Sequence, residues 1–364
     1  MQRQIHIVTD IQYGSTGKGA LIGYLAKRLL PDTLVTAWAP SAGHTFIDSS
    51  GRKFIHVQLA NGVVSSSVKR ILVGPGSAIN PDILQSECEA VGDLTQNITL
   101  MIHPHAAIVD QYHRESEKIF NRIGSTQKGG AEAVIQKMRR DPDNMGVAKT
   151  SEHPFIKEYV VTVEEYNQAL DESKIVLVEG AQGFGLSIHH GFLPYTTYRD
   201  VTPHQVLADC GIPFNFGKIT SYGTCRTYPI RVANRYDISG NQVGFSGPCY
   251  PDQIEIQWSD LGMEAELTTV TKLPRRIFTF SKTQYKEAVR MCGIDIVFLN
   301  FANYLATQQD ACEFAKNLNL LSPAQVKYIG IGPTEDDIRE VSMVSFPEIY
   351  KLNGFKTSIG GNIK

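Results

Sequence analysis

Ile5-His6-Ile7-Val8-Thr9-Asp10-Ile11-Gln12-Tyr13-Gly14-Ser15-Thr16-Gly17-Lys18-Gly19-Ala20-Leu21 opens the chain and decides how the rest is read. A β-branched apolar run of strand length gives way to a glycine-rich turn, and residues 21–30 carry the apolar spacing of a helix. Glycines at 14, 17 and 19 let backbone N–H groups approach an anion. The following helix turns its positive dipole end to the same point, and Lys18 adds a full charge. A polyphosphate suits such a cradle, although an ordinary strand–turn–helix junction uses the same residues. The strict Walker pattern is absent: position 12 is Gln12 rather than glycine, and Lys18 is followed by Gly19 rather than Ser or Thr.

Length and composition bound the rest. At 364 residues, 42% apolar and 20% charged, the chain can bury a large core as a soluble globular protein. A net charge of −2 provides no global basic field to hold nucleic acid. No run is apolar and long enough to span a bilayer, and the first strand follows the N-terminus with no signal peptide, so a cytoplasmic setting is expected. The six cysteines, Cys88, Cys210, Cys225, Cys249, Cys292 and Cys312, are scattered without a C-x-x-C pair, which favours reduced thiols over disulfides or zinc. With no repeat, low-complexity tract or linker, residues 1–364 are expected to form one domain.

Strand–turn–helix units recur downstream, which predicts an α/β fold with a large, mostly parallel central sheet and flanking helices. Strands are expected over 33–38, 54–57, 71–73 and 98–101, with a helix over 81–91. Ala39-Pro40-Ser41-Ala42-Gly43-His44-Thr45-Phe46 reads as a small-residue loop exposing one histidine at a strand end, where open α/β sheets bind ligands. Ile123-Gly124-Ser125-Thr126-Gln127-Lys128-Gly129 is hydroxyl-rich and basic, fit for a phosphate monoester or simply a solvated loop. The apolar run 174–183 ends in Glu179-Gly180-Ala181-Gln182-Gly183, a buried parallel strand that delivers a carboxamide to the sheet edge. A buried Gln suits recognition of an amide-like base edge. Residues 219–232 read as an edge-like strand broken by Pro229. Residues 266–276 gather threonines and cations that suit a small dicarboxylate or phosphates. Residues 297–304 form a strand ending in two asparagines, and 326–333 a strand entering a Gly-Pro turn.

In this order the stretches resemble those of the adenylosuccinate synthetases. That family has G-D-E-G-K-G-K, N-A-G-H-T, I-G-T-T-x-x-G, E-G-A-Q-G, H-G-x-x-P-Y-x-T, Y-x-x-R-V, T-T-T-G-R-x-R, T-K-x-D and x-x-G-P motifs, which fall here between residues 4 and 336. The resemblance implies a ligase with a P-loop-like nucleotide site. A nucleoside triphosphate passes its γ-phosphoryl group to O6 of a purine nucleotide, and L-aspartate then displaces the phosphate. Lys18, His44 and Gln182 match the family's catalytic positions. The fourth, an aspartate that takes the N1 proton and binds Mg2+, is Ser15 here. The loss removes volume and charge beside the base, which suits the 2-amino group of guanine, but Ser is a poor base at neutral pH.

Other departures point the same way. The guanine-reading T-K-x-D motif is Asn300-Phe301-Ala302-Asn303, and Asn303 can donate to N1 and accept from N6–H₂ of adenine. ATP or dATP is therefore the expected donor. A ribose-facing family arginine is Leu273, suiting a 2′-deoxyribose. This combination is similar to that of the phage-type 2-aminoadenylosuccinate synthetases of the 2-aminoadenine pathway, which act on dGMP.

By the resemblance, the donor lies against Gly14, Thr16, Gly17, Lys18, Gly19, Gly43, His44, Thr45, Arg275, Asn300, Asn303, Gly330, Gly332 and Pro333. The substrate nucleotide lies against Ser15, Ser41, Ser125, Thr126, Gln182, Leu186, Thr197, Val232 and Leu273, with Arg140 reaching it in trans from the partner of a homodimer. Aspartate is assigned to Thr269, Val270, Thr271 and Arg275, and Mg2+ to Ser15 and Gly43. The competing readings are an ordinary adenylosuccinate synthetase acting on inosinate, and a nucleotide switch, which would need the absent Walker and Asn-Lys-x-Asp motifs.

Overall fold

The computed structural model describes residues 2–268 and 272–341. Its frame is a nine-stranded sheet. In chain order the strands are β1 (Gln4–Asp10), β2 (Thr33–Thr36), β3 (Arg70–Val73), β4 (Thr99–Ile102), β5 (Ile175–Gly183), β6 (Lys218–Arg226), β7 (Ile296–Asn300), β8 (Gln325–Gly330) and β9 (Ile338–Glu340). Their spatial order is β9-β8-β7-β6-β1-β5-β2-β3-β4. All neighbours run parallel except β8 and β9. The expected mostly parallel sheet with flanking helices is therefore present.

The continuous apolar runs of β1 and β5 follow from burial on both faces. Ile5 and Ile7 join Val176 and Val178 in a core covered by Tyr166, Leu170, Val206 and Leu207. Val8 and Leu177 face the other way, against Leu21, Ile22 and Leu25 of α1 (Lys18–Leu29). A third core packs Val297, Leu299 and Val326 under the helices Lys282–Cys292 and Gln308–Leu321.

Two expectations are corrected. Residues 219–232 are not one edge strand: β6 lies between β1 and β7 and stops at Arg226, Pro229 falls in the connection beyond it and breaks no ladder, and only Ile230–Arg231 forms an edge strand, in a separate three-stranded sheet. His44 is not in an open loop but begins the strand His44–Ile47. That strand forms a hairpin with Lys53–His56, the run expected to belong to the main sheet. The hairpin leans on the start of α1: a Cβ at Gly19 would lie 2.8 Å from the backbone N of Thr45. Gly19 thus serves packing, while Gly14 and Gly17 (φ +96° and +93°) supply the left-handed turns of the loop. The hairpin's exit is fixed by the buried Glu87 carboxylate, which accepts backbone N–H groups from Val57, Gln58 and Leu59.

His56 pairs with His44 across the hairpin, is buried, and leaves Nδ1 without a partner. Burial pushes its pKa down from 6.5 to about 4, against a smaller upward pull from Glu179. Between those values the unfolded chain binds the proton and the folded one does not, so the stability is complete above pH 6.5 and falls as pH drops towards 4. The loss is on the order of 3 kcal/mol. His56→Asn should flatten the fall in melting temperature between pH 6.5 and 4; an unchanged slope would show that His56 does not carry it.

Candidate functional site

The parallel strands deliver their C-terminal ends to one edge, where an open α/β sheet gathers its ligands. There β1 gives the 10–17 loop, β5 gives Gln182, β6 Arg226, β7 Asn300 and β8 Gly330, while the hairpin after β2 brings His44. The loop is built around Asp10. Its Oδ1 accepts from the backbone N of Gln12 (2.7 Å) and Gly14 (3.3 Å), and its Oδ2 from the Thr16 hydroxyl and Lys18 Nζ (3.4 Å). Lys18 also donates to the Gln182 carbonyl at 2.9 Å. Asp10 and Lys18 are both buried, whereas Ser15 at the tip is exposed with φ +57°.

His44 and Glu179 form a buried pair, Nδ1 to Oε1 at 2.7 Å. Glu179 Oε2 accepts the backbone N–H of Asn61 (3.0 Å), and the Trp38 ring lies 4.3 Å from His44. A carboxylate can only accept, so Nδ1 carries the proton and Nε2 is left to face outward chemistry. Burial lowers the His44 pKa and outweighs the upward pull of Glu179, so the resting imidazole is neutral.

Gln182 stands at the loop's flank with φ +57°, and its Oε1 is buried without a partner. That orphaned acceptor suits a ligand N–H donor. Leu186 borders Gly14, since a Cβ there would lie 3.9 Å from Leu186 Cδ1, and Thr197 donates its N–H to the Leu186 carbonyl. At the other flank the Asn300 amide is packed between Gly17 and Gly330, donating to the Thr16 carbonyl (3.2 Å) and accepting from Phe301 N (2.8 Å). It ties the loop to the end of β7, and Asn303 is the half-buried asparagine on the turn Ala302–Tyr304.

The chain resembles known proteins over nearly its whole length. Residues 7–154 and 147–311 match the adenylosuccinate synthetase family. The chain belongs to the adenylosuccinate synthetase family. It is 47% identical to an N6-succino-2-amino-2′-deoxyadenylate synthase of Salmonella phage PMBT28, over 91% of this chain and 96% of that one. It is 30% identical to the adenylosuccinate synthetase of Pyrococcus horikoshii, over 78% and 80%. Among solved structures, the succinoaminodeoxyadenylate synthetase of cyanophage S-2L, bound to dGMP and dATP, matches with a TM-score of 0.88 and 40% identity, over 96% and 99%.

The other positions expected from the resemblance differ in exposure and local contacts. Gly43 and Thr45 are exposed beside His44, and Ser41 is half-buried. Ser125 and Thr126 are half-buried before the helix Gly130–Arg139; Arg235 donates to the Ser125 carbonyl at 3.2 Å. Arg140 is exposed at that helix's C-terminus. Val232 is half-buried next to Arg231. Leu273 donates its N–H to Thr268 Oγ1 (3.1 Å), and Lys272 has φ +54°, the conformation glycine favours. Arg275 is half-buried. Thr269, Val270 and Thr271 lie outside the described residues. Gly332 packs on Asp337, with Pro333 following it at the end of β8.

Four buried groups of this synthetase were not singled out from sequence: Asp10, Glu179, Arg226 and Arg231. A charged residue at the end of an apolar strand was the available signal, because such a charge must find a partner. Glu179→Gln exchanges the charged, acceptor-only partner of His44 Nδ1 for a neutral amide that can also donate, and should lower kcat by about 10²-fold with the fold retained. Undiminished kcat would show that Glu179 does not set the tautomer.

Proposed function

We propose that the chain joins L-aspartate to C6 of dGMP using ATP or dATP, giving N6-succino-2-amino-2′-deoxyadenylate. The γ-phosphoryl group moves to purine O6 as the N1 proton leaves. The aspartate amine then attacks C6, the new C–N bond forms, and phosphate departs with the C–O electrons. The observation that carries this reading is the loop tip: Ser15 is exposed and neutral, while the loop's carboxylate, Asp10, lies buried beneath it with four donors on its oxygens. A purine 2-amino group therefore meets a hydroxymethyl group rather than a charge. The phage relatives, 43–47% identical, are named for the same product.

Lys18 would face the transferring phosphoryl group and Gln182 the base, its buried Oε1 accepting from a purine N–H. His44 Nε2, backed by Glu179, would meet the phosphates and O6. Ser125 and Thr126 would hold the 5′-phosphate, completed by Arg140 from the partner in a homodimer, and residues 269–271 with Arg275 the aspartate. The whole chain would act as one domain.

The family generally depends on magnesium. Ser15 and the Gly43 carbonyl are neutral oxygens, and among the described residues no cluster of three His, Cys, Asp or Glu could hold a metal. Such a donor set fits an ion that arrives on substrate phosphates and keeps part of its water shell. When bound, it would supply neutralisation of phosphate charge.

The direct test incubates the protein with aspartate, ATP, magnesium and either dGMP or inosinate. Succinylated product from dGMP is expected; turnover of inosinate alone would return the chain to the ordinary adenylosuccinate synthetases. Donor choice is tested separately. Asn303→Asp exchanges an adenine-type for a guanine-type partner and should shift preference from ATP towards GTP in a competition assay. An unchanged ratio would remove Asn303 from the donor-base pocket.

A further inference from the structure

Arg226 closes β6 with a fully buried side chain, the largest in the described core. Its backbone is locked on both sides by Gln12: Arg226 N donates to Gln12 Oε1 (3.0 Å), and Gln12 Nε2 donates to the Arg226 carbonyl (3.1 Å). From this anchor the guanidinium reaches three segments. Nη1 donates to the carbonyl of Ser15 at 3.3 Å. The guanidinium carbon stacks 3.8 Å above the Phe301 ring. Both Nη groups engage the Glu266 carboxylate.

Each contact sits on a different part of the site. Ser15 is the tip of the phosphate loop. Phe301, in the left-handed region at φ +55°, is the cap of the turn that carries Asn303, and its carbonyl accepts from the Thr227 hydroxyl (2.8 Å). Glu266 begins the 266–275 loop: its carbonyl accepts from Arg275 N (2.8 Å) and its carboxylate from the Tyr304 hydroxyl (2.8 Å).

We propose that Arg226 is a positioning residue that fixes the phosphate loop, the donor-base turn and the aspartate loop to one another through a single planar guanidinium. The inference rests on the ligase reading above. Only a rigid fork with an apolar face makes these contacts together; an ammonium meets the carboxylate but neither stacks nor forks. The alternative is that Arg226 merely neutralises Glu266 in the core.

Two full-length variants separate these. Arg226→Met with Glu266→Gln removes both charges at once, so no uncompensated ion is buried. Arg226→Lys keeps the charge and loses the fork and stack. If Arg226 positions the loops, both variants melt near the wild-type temperature, yet the KM values for ATP and for aspartate rise together, each roughly tenfold. Wild-type KM values in either variant would overturn the proposal, and the lysine variant carries the test if the double variant fails to fold. Wild-type protein runs alongside. If it makes no product from dGMP, the ligase reading fails, and Arg226 is judged by ATP affinity in calorimetry: a roughly tenfold loss in the lysine variant supports the positioning role and unchanged affinity overturns it.

Discussion

A lysine and an aspartate share the buried space beneath the opening loop, and the site is arranged around the need to satisfy both. Removing two ions from water costs several kcal/mol each, recovered only if every remaining donor and acceptor is met. Asp10 meets that condition with two backbone N–H groups, the Thr16 hydroxyl and Lys18. Lys18 directs two of its three N–H donors to Asp10 and the Gln182 carbonyl. Because the acceptors lie on different strands, satisfying the pair fixes β1, β5 and the loop between β1 and α1 against one another. The left-handed backbone of Gln182 belongs to the same arrangement, since it aims the residue's carbonyl at Lys18 and leaves its carboxamide oxygen unpaired.

The sheet was legible from sequence because burial on both faces writes long apolar runs, and residues 174–183 were read almost to their boundaries as β5. Pro229 misled: a proline near a strand argues for an edge, yet β6 ends three residues earlier and stays central. The His44 hairpin was hidden for another reason. Ser41, Ala42 and Gly43 have no strand propensity, and the pairing of His44 with His56 is a contact between residues twelve positions apart that no local pattern announces.

Within the site, loop glycines and the exposed Ser15 were visible as residue types, whereas Asp10, Glu179 and Arg226 were not. Their meaning lies in partners far along the chain: Glu179 to His44, Arg226 to Ser15 and Glu266. One charge inside an apolar run says only that a partner exists. Asn300 illustrates the same limit. Its type suits a base edge, but its amide holds the Thr16 carbonyl and the Phe301 N–H, so it joins the loop to the end of β7.

The placement of charge bears on how a loop without a surface carboxylate can serve an anionic substrate. Asp10 and Lys18 compensate each other below the loop, and Ser15 adds no charge above it. One cation near the loop has carbonyl rather than carboxylate partners: Arg231, buried under Tyr13 with its guanidinium 4.6 Å from that ring, is held by the carbonyls of Ser246 (2.7 Å) and Tyr195 (3.1 Å) and leaves Nη1 unpaired. Carbonyl partners satisfy hydrogen bonds without cancelling charge, so the cation's field persists. A carboxylate at position 15 would oppose that field at the loop tip; a serine leaves it intact. On the proposed reading Ser15 would act twice, by leaving room beside a purine C2 and by keeping the loop tip uncharged where phosphate would approach.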